Sequence, residues 1–307
     1  MDPLYLIEQG KITRYFRATR KLNTPNLISH ITQRAAGKDL LFLENSDYLF
    51  MIRLLKEVSQ RYSLTIYAFS FMPNHTHLLF SPRKENLYDA MRDLFSRYAM
   101  RFNKKYERRG HLFGGPYRQA LCFDDSYLLA ASLYIHLNPV RAGIIADPRR
   151  YRWSSCRLYC DQEAPKSFVD PSLILSLLSE SDGDSKKQYH LLLDKGSGFE
   201  NAHVLEQEDA IERFRKKLAS LFPSIFSQSD KTRNVATLAD IDFLSLQELG
   251  QQIESVHTSK YARSPSTRKA KRYLIEQLIA RGYKRHEIAE QLKVSPKTVY
   301  NILKSPL

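Results

Sequence analysis

The sequence predicts an α+β fold in which an antiparallel sheet carries helices on one face. Apolar runs with strand-like composition, two long segments with helical apolar spacing, and turn-forming residues between them all favour this class. The length of 307 residues by itself suggests about two domains. We expect the sheet domain to span residues 1–160, a helical connector of unknown role to span 161–256, and a third unit to span 257–307.

Strand and helix patterns alternate along the first half of the chain. Residues 26–35 predict a strand, and residues 46–62 have apolar positions at helical spacing behind Ser46, a typical N-cap. Two β-rich runs follow at 64–71 and 75–82, and the Met-Pro-Asn between them is typical of a tight turn. We expect these two runs to form an antiparallel hairpin.

The same alternation continues beyond the hairpin. Residues 86–109 predict a long amphipathic helix, and residues 115–123 predict a strand. Residues 126–140 predict a further helix, with Asp125 as its N-cap. The resulting β-α-β-β-α-β-α order is typical of a ferredoxin-like α+β layer.

Composition and charge limit the classes of function. The net charge of +14 and the pI near 9.6 indicate a polyanionic partner, most often nucleic acid, although a basic enzyme could carry such charge for solubility alone. Three cysteines support neither a disulfide framework nor a thiolate zinc site. The chain has no long apolar run and no signal-like start, so we expect no membrane span and a cytoplasmic location.

The C-terminal segment has a helix-turn-helix pattern. Residues 267–283 and 284–294 predict helices, and a third begins at Ser295 as N-cap with Pro296 at the first helical position. Residues 263–307 contain 11 Lys and Arg against 3 Glu, which favours duplex DNA over the alternative of a protein-binding unit. The predicted DNA contacts are Lys284, Arg285, Lys297, Thr298, Tyr300 and Asn301.

Two histidines one residue apart are the first candidate for chemistry. His75 and His77 lie in a predicted strand, so they project from one face and Thr76 from the other. Two neutral imidazoles can bind one divalent ion, but the pattern taken alone favours ordinary surface or core histidines. Tyr134 and Asn138 are four residues apart and would share one helix face.

Two further residues of this helix, His136 and Pro139, bear on which side chains can lie beside Tyr134. His136 is two residues from Tyr134 and is expected to point away from it. Pro139 disfavours the α conformation at the preceding residue, which leaves the direction of the Asn138 side chain open.

A basic stripe runs along the helix predicted at 86–109. Tyr98, Phe102 and Tyr106 recur every fourth residue, and we expect this aromatic stripe to pack on the sheet. The charged side chains beside it would contact DNA phosphates, or would form a solvated face. They are Arg97, Arg101, Lys104, Lys105, Arg108 and Arg109.

Four motifs in order resemble those of the REP-associated tyrosine transposases, which are HUH-type enzymes related to single-strand transposases of insertion sequences. They are MPNHTHLL, GHLFGGPYRQAL, DDSYLLAASLYIHLNPVRAGII and YRWSSCRLY, and the resemblance spans residues 26–159. It implies that His75 and His77 form the HUH motif, that Tyr134 is the catalytic tyrosine and that Asn138 is a third metal ligand. Thr76 departs from the hydrophobic residue usual between the histidines.

The resemblance also implies a reaction and its partners. Mg²⁺ or Mn²⁺ would hold the phosphate, and Tyr134 would cut one strand with a 5′-phosphotyrosine intermediate. Arg118 and Arg141 lie near these residues in the sequence, so we expect them to help to bind the phosphate. The substrate would be single-stranded DNA folded into palindromic hairpins, bound by a monomer or homodimer. Two alternatives stay open: a non-catalytic helix-turn-helix regulator with a decayed site, and a histidine-based phosphodiesterase that releases free products.

Overall fold

The computed structural model describes residues 15–16, 23, 25–122, 125–179, 182–198, 210–226, 246–258, 265–280, 283 and 285–304. The chain divides into two compact units, a large one at 23–241 and a small one formed by 1–22 and 242–307. Lys284, one of the predicted DNA contacts, lies outside the described residues. None of the helices in the described ranges is both long and apolar enough to cross a membrane.

Strands and helices follow one another in the large unit as the sequence predicts. The strands are β1 (Tyr15–Phe16), which belongs to the small unit, and β2 (Ser29–Arg34), β3 (Leu64–Met72), β4 (His75–Pro82) and β5 (Arg118–Leu121). The helices of the large unit are α1 (Asn45–Arg61), α2 (Leu87–Lys105), α3 (Asp125–Arg141), α4 (Cys156–Cys160), α5 (Ser172–Ser176), α6 (Asp182–Ser197) and α7 (Ala210–Leu221), with a short 3₁₀ turn at Pro148–Arg150.

Four strands of the large unit form an antiparallel sheet in the order β5-β2-β4-β3. Because α1 connects β2 to β3 and α2 connects β4 to β5, the two β-α-β halves interleave as in a ferredoxin-like fold. The hairpin predicted at 64–82 is present, with Met72 paired to His75 across the turn. The predicted α+β class is confirmed.

Helices cover both faces of this sheet. On one face, Leu78 and Phe80 of β4 share a core cluster with α1 and α2, which is the layer that the sequence predicts. On the other face, Leu79 of β4 and Ala68 of β3 pack with α3. The predicted helix layer on one face is therefore present, and α3 adds a second layer on the opposite face.

The helix α3 is buried along almost its whole length. Every residue from Asp125 to Pro139 is buried, which is expected of a helix that lies between a sheet and further helices. Its second side contacts α6 and α7, which share its core cluster through Tyr189, Leu192 and Phe214. Helices beyond the predicted boundary at residue 160 thus pack in the same core as α3, rather than forming a separate connector.

The N-terminal end of α1 and the C-terminal end of α2 differ from the sequence-based prediction. Helix α1 begins behind Glu44 rather than Ser46, because the carboxylate of Asp47 accepts the backbone N–H groups of Leu43 and Glu44. Helix α2 ends at Lys105, four residues earlier than predicted.

The small unit contains the predicted helix-turn-helix. Its helices are α8 (Leu246–Thr258), α9 (Pro265–Ala280), α10 (Arg285–Gln291) and α11 (Pro296–Lys304). Ser295 caps α11, since its Oγ accepts the backbone N–H of Thr298 at 3.1 Å. Ile288, Leu292 and Val299 are buried between the helices. Helix α8, which the prediction assigned to the connector, belongs to this unit.

His136 anchors α3 to its surroundings through a buried polar network. Its Nδ1 lies 2.8 Å from the hydroxyl of Tyr189 on α6, and its Nε2 lies 2.8 Å from Oγ of Ser155. Burial lowers the pKa of His136 to about 3, from a usual value of 6.5. At a pH between these two pKa values, His136 binds a proton in the unfolded chain but not in the folded chain. The free energy of unfolding therefore decreases as the pH falls from about 6.5 toward 3.

Replacing His136 by Phe is expected to lower the free energy of unfolding by about 1–3 kcal/mol at neutral pH, because buried hydroxyls lose a partner. It should also flatten the dependence of stability on pH between about pH 6 and 4, by up to about 1.4 kcal/mol per unit. Urea denaturation at a series of pH values measures both effects. The same substitution at the exposed His111 is the control, and an unchanged slope in His136→Phe would contradict the assignment.

Candidate active site

The two histidines of β4 lie on the sheet face that α3 covers. Their ring centres are 4.8 Å apart and their planes are nearly perpendicular, at 87°. Thr76, which lies between them in the sequence, is fully buried and faces the other side of the sheet, where α1 and α2 pack. The strand geometry therefore brings the two imidazoles together as the alternation of side chains predicts.

Both imidazoles are neutral at physiological pH. Burial, and then the charge of Arg34 and the proximity of His30, lower the pKa of His75 to about 3. Burial, and then the neighbouring His75, His30 and Arg34, hold the pKa of His77 well below its usual value. A neutral imidazole has one ring nitrogen with a free lone pair, which is the form that binds a metal ion.

The hydrogen bonds indicate which nitrogen of each ring is free. Nδ1 of His75 lies 2.7 Å from the side-chain oxygen of Asn74 and must donate to it, so its Nε2 carries the lone pair. Nε2 of His77 is buried and has no hydrogen-bond partner within the described part of the chain. A buried ring nitrogen without a protein partner has a lone pair that a metal ion or a water molecule can use.

A third histidine, His30 of β2, contacts His77. The two rings stack with centres 5.1 Å apart and planes at 18°, and Nε2 of His30 lies 2.9 Å from Nδ1 of His77. If His77 donates this hydrogen bond, its Nε2 is left as the ligand nitrogen, so His30 would fix the tautomer that a metal requires. Sequence reasoning missed His30, because its position beside His77 depends on the pairing of β2 with β4.

Tyr134 lies on α3, directly over the histidine pair. Its ring centre is 6.1 Å from that of His77, and the side chain is only 3% exposed. The guanidinium of Arg141 lies 5.1 Å from the ring centre of Tyr134 and 4.2 Å from that of Phe214 on α7. Burial raises the pKa of Tyr134 to about 12, while the charges of Arg141 and Arg213 oppose that rise.

Asn138 lies one turn further along α3, which continues through Pro139 to Arg141. Its amide Nδ2 donates to the backbone oxygen of Tyr134 at 2.9 Å, so its Oδ1 is the atom able to bind a ligand. Asn138 and His75 line the same open cleft, which has a volume of about 290 Å³. The side chain of Asn138, whose direction the sequence left open, therefore lies at the cleft that His75 also lines.

These residues fit a divalent cation. In the described ranges, no three His, Cys, Asp or Glu side chains are grouped to hold a metal ion, so a site here depends on the Asn138 amide as its third ligand. Imidazole nitrogens and an amide oxygen are suitable ligands for Mn²⁺, and the amide oxygen also suits Mg²⁺. His136 is not part of this group, because both of its ring nitrogens are bonded on the far side of α3.

Ion pairs and a ring contact occupy much of the predicted basic stripe on α2. Arg97 lies 2.7 Å from Glu57 of α1, and Lys105 lies 2.7 Å from Asp47. Likewise, Arg108 pairs with Asp39, and the Arg101 guanidinium lies 4.4 Å from the ring centre of Phe50.

The two remaining basic side chains of the stripe, Lys104 and Arg109, are exposed. The stripe lies across the sheet from the histidines, and its contact with DNA stays a prediction. Tyr98 and Phe102 are buried, as predicted for core packing.

Two further arginines lie at the edge of the site. Arg34, at the end of β2, lines the cleft together with His75. Arg118 of β5 is exposed and pairs in register with Thr32 of β2. Burial, and then the charge of Arg118, lower the pKa of Arg34.

The predicted groove-facing residues of α11 are mostly exposed. Lys297, Tyr300 and Asn301 are exposed, and the guanidinium of Arg285 lies 5.4 Å from the ring centre of Tyr300. The hydroxyl of Thr298 lies 2.8 Å from Oγ of Ser295, so it takes part in the cap of the helix. DNA contact by these side chains stays a prediction.

Comparison with known proteins identifies two parts of the chain. Residues 24–138 match the family model described as "Transposase IS200 like", and residues 266–305 match the "Homeodomain-like domain" model. No curated protein sequence is detectably similar to the chain. One solved structure, of a REP-associated tyrosine transposase bound to a REP hairpin, is similar over 52% of this chain and 96% of that one, with 12% identity and a TM-score of 0.42.

We expect His30→Ala to weaken Mn²⁺ binding by about 10–100-fold, because His77 loses the partner that fixes its tautomer. Isothermal titration of the metal into the purified chain measures this directly, without reference to activity. His30→Gln should lose less, since its amide oxygen can accept the same hydrogen bond.

The exposed His111, changed to Ala, controls for the loss of an imidazole elsewhere. The role of His30 is wrong if His30→Ala binds Mn²⁺ as tightly as the unchanged protein.

Proposed function

We propose that this chain, which carries an IS200-like transposase domain followed by a homeodomain-like helix-turn-helix, cuts and rejoins one DNA strand through Tyr134. The observation that supports this most directly is the meeting of β4 and α3 on one sheet face. There the ring of Tyr134 lies 6.1 Å from that of His77, and Asn138 shares a cleft with His75. A nucleophile and a set of neutral ligands are thus adjacent in one chain.

His75, His77 and Asn138 would hold Mg²⁺ or Mn²⁺. Because none of the three carries a charge at neutral pH, the full +2 charge of a bound cation would act on a non-bridging oxygen of the phosphodiester. The imidazole pair favours Mn²⁺ over Mg²⁺. Arg34, which lines the cleft, and Arg118, which pairs in register with Thr32 of the same strand, would bind the same or a neighbouring phosphate.

The covalent step uses the phenol oxygen of Tyr134. This oxygen attacks the phosphorus, the bond from phosphorus to the 3′ oxygen breaks, and the strand leaves with a free 3′-OH. The DNA stays attached to the enzyme as a 5′-phosphotyrosine. A 3′-OH from another strand can then attack the same phosphorus and release the phenol, so the strand is rejoined without an external energy source.

The phenol must lose its proton for this attack. Burial raises the pKa of Tyr134 to about 12, so the side chain is protonated and weakly nucleophilic in the absence of DNA and metal. Arg141 lies against the ring and favours the phenolate. We infer that Arg141 helps to bring the ionisation of Tyr134 toward neutral pH once the site is loaded.

The DNA substrate is proposed from the sequence resemblance and the helix-turn-helix match. We expect the transposase domain to bind single-stranded DNA next to a palindromic hairpin, and we expect Arg285, Lys297, Tyr300 and Asn301 to contact duplex DNA. The nucleophile and the three ligands all belong to one chain, which supports a site that is complete in a single subunit.

Tyr134→Phe should abolish the covalent protein–DNA complex while leaving hairpin binding within about twofold, because the variant lacks only the attacking oxygen. Incubation with a labelled DNA hairpin and Mn²⁺, followed by denaturing electrophoresis, measures the complex. Fluorescence anisotropy measures binding. Tyr127→Phe, at another buried tyrosine of α3, is the matched control and should still form the complex.

The outcomes also separate the alternatives. Binding without any Mn²⁺-dependent cleavage by the unchanged protein would favour a regulator with an inactive site. Cleavage that yields free products and no covalent complex would favour a hydrolase. A covalent complex that persists in Tyr134→Phe would show that another residue is the nucleophile.

A further inference from the structure

We propose that the cleft beside the metal ligands is a nucleobase pocket, which binds an unstacked base of the nucleotide next to the phosphate that is cut. The cleft lies between the β3–β4 turn, the loop after β2 and the C-terminal end of α3. This inference rests on the proposed function, because it assigns a substrate group to the same site.

The walls of the cleft are apolar and partly open to solvent. Met72, Pro73 and Ala142 line it, and Leu40 and Ile144 contribute side chains that are 43% and 44% exposed. Large aliphatic side chains exposed beside a polar site are suited to cover the flat faces of a base, as apolar side chains do for bases taken out of a stack. The volume of about 290 Å³ is at the lower end of the range for small-molecule sites, about 300–1,000 Å³, and therefore suits one base.

The cleft is held open by backbone hydrogen bonds. The carbonyl oxygen of Pro73 accepts the N–H of Leu41 at 2.7 Å, and that of Asn74 accepts the N–H of Ala35 at 2.9 Å. These bonds attach the loop after β2 to the β3–β4 turn. Leu40 and Pro73 are consequently fixed on one wall before any ligand binds, which lowers the entropy cost of binding.

Polar groups at the cleft match the parts of a nucleotide. The side-chain oxygen of Asn74 is bonded to His75, so its Nδ2 is the group that can donate to an acceptor on a base edge. Arg34 places a positive charge at the cleft, which suits a phosphate. Asn74 would therefore have two roles. Its Oδ1 orients the ring of His75, and its Nδ2 would donate to an acceptor on the edge of the base.

The position of the base relative to the cut follows from the shared residues. His75 and Asn138 line the cleft and are also two of the three proposed ligands for the cation that would hold the phosphate. A base in the cleft therefore belongs to a nucleotide bonded directly to that phosphate, on one side of it or the other. This pocket would contribute sequence preference at the cleavage site independently of the helix-turn-helix.

A coupling experiment tests the pocket. The probe is a fluorescent DNA hairpin with single-stranded arms, in which each arm nucleotide in turn is replaced by an abasic one. Binding is measured by anisotropy with EDTA present, so that no cleavage occurs, for the unchanged protein, Leu40→Ala and Ile144→Ala. Leu43→Ala is the matched control, because Leu43 is 53% exposed on the same loop but does not line the cleft.

At one position next to the cut, the abasic change should weaken binding by the unchanged protein about tenfold, as expected for one base contact. Leu40→Ala and Ile144→Ala should weaken binding of intact DNA. In these variants, replacing that nucleotide by an abasic one should weaken binding little further, because the base has already lost its contact. Leu43→Ala should behave as the unchanged protein. The pocket is refuted if no abasic position weakens binding, or if the losses of affinity from the protein substitution and from the abasic nucleotide add fully. It is also refuted if Leu43→Ala loses as much affinity as Leu40→Ala.

A separate readout distinguishes this outcome from failure of the proposed function. If the unchanged protein forms the Tyr134-dependent covalent complex but shows no coupling, the transposase proposal stands and the pocket is wrong. If it forms no such complex but does show the coupling, the pocket is supported and the cleavage chemistry is wrong.

Discussion

The packing of α3 against the sheet is the interaction on which the rest of the site depends. Leu128, Leu129, Leu133 and Leu137 are fully buried between the sheet and the helices α6 and α7, and each such side chain contributes about 1.5–3 kcal/mol through burial. Tyr134 and Asn138 cannot move away from the histidine face without loss of this packing. The hydrophobic core therefore places α3 over the histidine face, and polar contacts such as that between His30 and His77 orient the side chains within it.

Burial has an electrostatic consequence in the same place. The environment that fixes α3 lowers the pKa values of His75 and His77 and raises that of Tyr134. Both effects favour neutral forms, so these three side chains are uncharged at neutral pH. Two cations lie at the border of this group, since Arg34 lines the cleft with His75 and the guanidinium of Arg141 lies 5.1 Å from the ring centre of Tyr134.

The sequence predicted the order of the strands and helices because hydrophobic periodicity is a local property. It also predicted the grouping of His75 with His77, since alternation along a strand fixes side-chain faces. It did not reveal His30 as a neighbour of His77, because that contact depends on which strand pairs with β4. The acidic partners of Arg97 and Lys105 lie on another helix, so a run of basic residues could not show that its charges are paired. The role of α6 and α7 as a cover for α3 was missed for the same reason.

Identification of the residue that becomes attached to DNA tests the central claim most directly. The covalent complex formed with a DNA hairpin and Mn²⁺ would be digested with protease and nuclease, and the modified peptide sequenced by tandem mass spectrometry. The account predicts a nucleotide joined through its 5′ phosphate to the phenol oxygen of Tyr134. Attachment at any other side chain, or cleaved DNA with no modified peptide, would contradict it.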